Sequence, residues 1–271
     1  MAARSRSKPG GKRRPKRAAR AGTTGRGQPS GQARDALAAR IAEDGMTAFV
    51  AVLRPADDAA EVSRTEALHQ AVHDAYARLD AMLEELAPDP PLACHQGCIH
   101  CCYNQVALTE PEALYLGRHL LETRDARELR DLEARTRALA ERLKGKSWQD
   151  IGMARHRLPC LFLENGGCSV YPARPLACRG WNSVDADRCL QSNLSGNALT
   201  LIENHPVIRQ MADAVQSSLL LGANALGLEA GYLLMARATL LLLENGAQQG
   251  VPEQTADWLR GSPFFGRKKT W

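Results

Sequence analysis

Apolar residues recur at helical intervals along most of the chain. From about Val62 to Leu86, positions Leu68, Val72, Ala75, Tyr76, Leu79, Met82, Leu83 and Leu86 share one helix face. Pro88, Pro90 and Pro91 lack backbone donors, so that helix is expected to end before them. Thr109-Glu110-Pro111-Glu112 is a capping box with proline in the first turn, and it predicts a helix to about Leu121. Leu129, Leu132, Thr136, Leu139 and Leu143 step by three and four, which predicts another from about Ala126 to Leu143. Periodicity also begins near Asp35, a helix is expected from Asn204-Pro206 toward Leu221, and a last one over about Glu229 to Asn245. One stretch breaks the pattern. Leu161-Phe162-Leu163-Glu164, Asn165-Gly166-Gly167 and Cys168-Ser169-Val170-Tyr171 predict a short β-hairpin around a glycine turn. The expected fold class is mainly α: helices bracing a small irregular cysteine-rich metal-binding element with a short β-hairpin.

Composition changes this picture at the N-terminus. The net charge of +5 conceals a split: residues 1–30 carry ten Lys and Arg and no acid, while the other 241 hold 25 basic and 30 acidic residues. Residues 1–33 bury too little apolar surface to offset their ordering entropy, so a disordered basic tail is expected there. A helical domain over 34–250 containing the cysteine module at 94–189, and a C-terminal extension over 251–271, complete the expected organisation. The acidic body disfavours a uniformly basic nucleic-acid-binding domain. The tail has no interleaved aromatics for base stacking, so a solubilising role is preferred to phosphate contacts with nucleic acid. Trp258, Phe264, Phe265 and Trp271, with Arg267–Lys269, are expected to form a segment docked on its own core. Nothing in the sequence identifies a protein partner.

The N-terminus has no apolar signal region, and no run reaches the ~18 apolar residues of a membrane span. Leu219–Leu228 and Leu233–Leu243 come nearest and are interrupted by Asn224 and Arg237. The expectation is a cytoplasmic protein, off the membrane, whose thiols are reduced or metal-bound.

The chemistry lies in the cysteines. All eight fall between Cys94 and Cys189, and the remaining 175 residues contain none. The first cluster is Cys94-His-Gln-Gly-Cys98-Ile-His-Cys101-Cys102. The second is Cys160, Cys168, Cys178 and Cys189, separated by seven, nine and ten residues. Thiolates two or three residues apart can turn onto one ion, and as soft charged donors they suit Zn²⁺ or iron, including Fe–S clusters. Adjacent Cys101 and Cys102 tend to diverge, which favours two centres or one polynuclear centre. His95 and His100 lie inside the first cluster, but eight thiolates already fill two tetrahedral sites, so neither is expected as a ligand. Arg174 and Arg179 flank Cys178 and are expected either to donate hydrogen bonds to the sulfurs or to pair with a surface carboxylate. Trp181 is read as a shield over the site or as core. His69 and His73, four apart, are read as a solvated helix edge; Gln70 stands where a zinc protease needs Glu. His119, His156 and His205 have no evident partners.

The run C-x3-C-x2-C-C, then Pro159-Cys160-Leu161-Phe162-Leu163, Gly167-Cys168-Ser169-Val170-Tyr171 and Arg174-Pro175-Leu176-Ala177-Cys178-Arg179-Gly180, resembles the YkgJ-type cysteine-cluster family. The resemblance covers about Cys94 to Cys189 and matches all eight cysteines. It implies a zinc- or iron-chelating role with Cys94, Cys98, Cys101, Cys102, Cys160, Cys168, Cys178 and Cys189 as the metal residues. It supplies no settled reaction, although some relatives are labelled Fe–S oxidoreductases or flagellin N-methylases. Cys94, Cys98 and Cys101 also have the spacing of a radical S-adenosylmethionine enzyme. That reading is disfavoured because the motif follows a helix, not the first strand of a βα barrel, and no Gly-Gly-Glu segment appears. No G-x-S-x-G, P-loop or G-x-G-x-x-G pattern occurs, so hydrolase, NTPase and dinucleotide chemistry have no basis here.

Overall fold

The computed structural model describes residues 31–54, 61–244 and 247–263. The basic tail over 1–30, together with Phe264, Phe265, Arg267–Lys269 and Trp271, lies outside the described residues. The architecture is mainly helical, as expected, with two small antiparallel strand pairs. The first half runs α1 (Gly31–Leu53), α2 (Glu61–Leu86), β1 (Ala107–Thr109), α3 (Glu110–Thr123) and α4 (Ala126–Leu143). Four cysteines lie between α2 and β1, and the segment bearing the other four follows α4 as α5 (Trp148–Met153), β2 (Leu163–Glu164), β3 (Gly167–Cys168), α6 (Leu176–Gly180) and α7 (Ala186–Ser195). The chain closes with α8 (Pro206–Ala225), β4 (Tyr232–Leu234), α9 (Met235–Leu243) and α10 (Ala247–Leu259).

The periodic faces become the core. On α2, Leu68, Val72, Tyr76 and Leu79 are buried, and Ala75, Met82, Leu83 and Leu86 pack against the same cluster. On α4, Leu129, Leu132, Thr136, Leu139 and Leu143 are all buried, and this face meets α9. Asp125 caps α4 by accepting from the Arg127 and Glu128 amides at 2.8 Å, while Glu128 accepts from the Asp125 amide at 2.9 Å. α1 lies along α8 at an approach only glycine permits. A Cβ on Gly222 would stand 2.5 Å from the Phe49 ring, and one on Gly45 would stand 2.5 Å from Ser218 Oγ.

The helix expected over Glu229–Asn245 is divided. Residues Tyr232–Leu234 form β4, and helix begins only at Met235. The cause is pairing with a distant segment: β4 runs antiparallel to β1, with Ala107 opposite Leu234 and Leu108 opposite Leu233. The Gly231 amide donates to Glu110 at 2.8 Å, which holds the turn ahead of the strand. Both strands feed directly into helices, so the pair fixes α3 and α9 together. The expected hairpin is present as β2 and β3, two residues each, with Leu163 opposite Cys168. Asn165 (φ 50°) and Gly166 (φ 75°) take the two positive-φ turn positions. α1 begins at Gly31, inside the segment expected to be disordered, and α10 crosses the boundary placed at residue 250. In α10, Val251, Trp258 and Leu259 are buried, and Trp258 Nε1 donates to the Glu229 carbonyl at 3.0 Å. Among the described residues, no helix is long and apolar enough to cross a membrane.

His69 corrects the expectation of a solvated helix edge. His73 is exposed beside Asp74, but His69 is 8% exposed because α3 packs over its face of α2. Its Nδ1 accepts from Arg118 at 2.8 Å, and Arg118 also pairs with Glu66 and Glu122. Burial first, then the Arg118 charge, hold the imidazole pKa down at about 4, against partial opposition from Glu66 and Glu122. The unfolded chain therefore binds a proton below pH 6.5 that the folded chain refuses until about pH 4. Stability from this residue is complete above pH 6.5 and is lost as pH falls toward 4, by about 3 kcal/mol. Denaturant midpoints at pH 7.5 and pH 4 should fall further for the wild type than for His69→Leu. Equal falls in both proteins would remove this assignment.

Candidate metal centre

Four separate segments bring the cysteines into one region. The first approaches in extended form. The Ala93 amide donates to the Ser183 carbonyl at 2.9 Å, and the Ser183 amide donates to Cys94 Sγ at 3.2 Å. The chain then reverses at Gly97 (φ 91°), with the Cys98 amide donating to the His95 carbonyl at 3.0 Å. A single 3-10 turn, His100–Tyr103, carries Cys101 and Cys102. The second segment docks on this turn, because the Cys160 amide donates to the Cys102 carbonyl at 2.7 Å. Cys168 follows on β3, opposite Leu163.

Cys178 sits on α6, a five-residue helix too short to persist alone. Its position comes from a buried carboxylate. Glu112, in the first turn of α3, accepts from the Leu176 amide and from Gln216 Nε2, both at 2.8 Å. It also accepts from the Thr109 amide at 2.9 Å and the Thr109 hydroxyl at 3.1 Å. One side chain thus ties α3, α6 and α8 together. Gly180 completes the seat: a Cβ there would lie 2.7 Å from Ala212 Cβ on α8. Cys189 is on α7, which Asp185 caps by accepting from the Arg188 amide. Asn193 joins α7 to the first cluster by donating to the His100 carbonyl at 3.4 Å.

All eight cysteines are free thiols; Cys94 is exposed and the others are half-buried. Seven of them, all but Cys102, fall into two groups. Cys160, Cys168 and Cys178 pack against the hydrophobic core. Cys94, Cys98, Cys101 and Cys189 border one open cavity. Cys101, hydrogen-bonded to Cys102, feels the charge of both groups. Burial, with the neighbouring Cys168 and Cys101 thiols, pushes Cys160 up to about 12. Cys178 is pushed well up by burial and then by Cys160, Cys101 and Cys168. The hydrogen bond to Cys102 raises Cys101 first, and burial raises it further. Thiols this crowded do not ionise together without a cation to offset their charge. Among the described residues, no three His, Cys, Asp or Glu side chains already stand in an arrangement that could hold an ion.

The surroundings fit a thiolate-bound metal. Arg174 is stacked on Tyr171 with its guanidinium 4.3 Å from the ring centre, its Nε is buried without a hydrogen-bond partner, and its charge favours ionised Cys101, Cys168 and Cys178. An unsatisfied buried donor beside sulfurs suits charged acceptors there. Arg179 does not share this role. It pairs with Asp80 at 2.5 Å, donates to the Pro172 and Arg174 carbonyls, and lies 4.5 Å from the Tyr76 ring centre. Trp181 is 42% exposed on the cavity wall, so it is not core. His95 is exposed, with Nδ1 against the Gln96 carbonyl, and His100 borders the cavity. His205 does have a partner: its Nε2 lies 2.7 Å from the Pro90 carbonyl.

Sequence reasoning missed Glu112 as an anchor of the site, and it missed Trp148 and Arg155 on the cavity wall. The capping-box motif named Glu112, but no local signal reports a contact 64 residues away.

Residues 93–194 match a family model named CxxCxxCC and described as "putative zinc- or iron-chelating domain". All eight cysteines lie inside the match, and the chain departs from the family name in having three residues, not two, between Cys94 and Cys98. No curated protein and no solved structure matches the chain. The cysteine pattern and the family model agree, and residues 93–194 belong to the YkgJ-type, CxxCxxCC cysteine-cluster family.

Proposed function

We propose that this protein is a cytoplasmic metal-binding protein whose eight cysteine thiolates hold zinc or iron in two groups meeting at Cys101–Cys102. The observation that carries the reading is the collection of eight unpaired thiols from four segments of chain. One group is Cys160, Cys168 and Cys178 with one sulfur of the Cys101–Cys102 pair. The other is Cys94, Cys98 and Cys189 with its neighbour. Free thiols in this number suit a reducing compartment. A second reading, catalysis at an Fe–S cluster as in an oxidoreductase or a protein N-methyltransferase, is favoured by the open cavity beside Cys94, Cys98, Cys101 and Cys189.

Elemental analysis of anaerobically purified protein, with its visible spectrum, tests both. About two equivalents of zinc in colourless protein support two tetrahedral sites. Brown protein with matching iron and acid-labile sulfide supports the cluster. Protein containing neither metal, and binding neither when reconstituted, would overturn the proposal.

A further inference from the structure

The cavity beside the first cysteine group has a volume of about 630 Å³, within the range of small-molecule sites. Its walls are unusual for a surface recess. Trp148, Met153, Trp181, Leu199 and Leu201 are all large, apolar and exposed, and all border this one cavity. Trp148 is 59% exposed and Leu201 is 86% exposed. Scattered apolar residues on a surface need no explanation, but five around one concavity form a patch of the kind that ligands cover. The two indole rings come from different elements, α5 and the loop after α6, so helix periodicity does not account for both bordering one cavity.

The same cavity contains a cation without a carboxylate. Arg155 donates to Asn104 Oδ1 at 3.2 Å and to Ser192 Oγ at 2.5 Å, both neutral acceptors. Among the described residues, no Asp or Glu lies within ion-pair distance of it. Cys189 supplies the one negative charge it feels, and a metal bound to that thiolate would take up most of that charge. A half-buried guanidinium in an apolar-walled recess favours an anionic group brought in from solution.

We propose that this cavity is a binding site for a small organic anion: a flat apolar body seated between Trp148 and Trp181, with its carboxylate or sulfonate on Arg155. The proposal stands on the cavity itself and holds whether the cysteines carry zinc, iron or a cluster. Bound there, the ligand lies against the Cys94, Cys98, Cys101 and Cys189 group, while Cys160, Cys168 and Cys178 remain apart in the core. The module thereby has one group that is purely structural and one that meets a ligand.

The test uses two probes with the same aromatic body. One is 8-anilinonaphthalene-1-sulfonate, and the other is N-phenyl-1-naphthylamine, which lacks the sulfonate. Each is titrated into the full metal-loaded chain and followed by probe emission and tryptophan quenching. The sulfonate is expected to bind at one saturable site and to quench tryptophan. Arg155→Gln should weaken the sulfonate about tenfold or more and the neutral probe little. Trp148→Ala should weaken both, and because Trp148 is exposed this variant keeps the fold even if Arg155→Gln does not. Unsaturable binding, unchanged affinity in Trp148→Ala, or an equal effect of Arg155→Gln on the two probes would overturn the proposal. Metal content is measured on every variant, so loss of the metal reading with retained probe binding is a separate and recognisable result.

Discussion

Stripping the metal with a chelator is expected to unfold the segment between Ser147 and Ser195 while leaving most of the helical body folded. The segment has little of its own to hold it. α5 has six residues, α6 has five, and each strand of the hairpin has two. Elements this short do not repay their ordering entropy without outside contacts. The contacts it leans on are of two kinds: those at the cysteines, such as the Cys160 amide on the Cys102 carbonyl and the Ser183 amide on Cys94 Sγ, and those on the helical body, where the Leu176 amide and Arg179 reach Glu112 and Asp80. By contrast, α2, α3, α8 and α9 carry no cysteine and pack on one another, in a core to which the segment adds only its Ile151, Leu158, Leu161, Phe162, Val170, Ala173, Leu176 and Ala177. Structural zinc sites contribute ~10–16 kcal/mol to folding, more than this segment can replace. Hydrogen exchange should show amides of α5, α6 and α7 losing protection on chelation while α4 and α8 keep theirs. Chelated protein with unchanged exchange and an unchanged melting curve would falsify a structural role for the metal.

Glu112→Ala should cost about 3–5 kcal/mol, the largest effect expected of a single residue outside the cysteines. The substitution leaves the Thr109 and Leu176 amides without their acceptor in a fully buried position, and leaves Gln216 Nε2 only the Ala107 carbonyl at 3.2 Å. Each such donor costs about 1–3 kcal/mol, and relief from burying the carboxyl returns part of the sum. The loss should extend to the metal, since Leu176 begins the helix that presents Cys178. Urea unfolding measures the first effect, and metal affinity by chelator competition measures the second. Glu112→Gln, which retains an acceptor oxygen, should fall between wild type and Glu112→Ala. A Glu112→Ala protein within 1 kcal/mol of wild type would show that these donors find other partners.

The same carboxylate shows where reading the chain reaches its limit. Thr109-Glu110-Pro111-Glu112 predicted a helix start, and α3 begins there, because capping is a contact among neighbours in sequence. The bonds from Glu112 to Leu176 and Gln216 span 64 and 104 residues and carry no local signature. α4 was legible from the Leu129–Leu143 stripe alone, and the structure adds the Asp125 cap at its start. The Glu229–Asn245 stretch misled because its apolar run suits a buried helix or a buried strand equally, and only β1 decides between them. His69 and His73 look alike by spacing, yet α3 covers one and not the other.

By itself, then, the sequence determined the helical class, most helix positions, the hairpin and the eight-cysteine pattern that the family model matches. These rest on periodicity, capping, turn residues and donor type, all of which act over a few residues. Tertiary structure decided which thiols lie against the core and which face a cavity, that Arg174 keeps its charge beside the sulfurs while Arg179 pairs with Asp80, and that Trp148, Trp181 and Arg155 share one recess. Those outcomes depend on which distant segments exclude water from one another, and that is a property of the packed chain, not of any stretch of it.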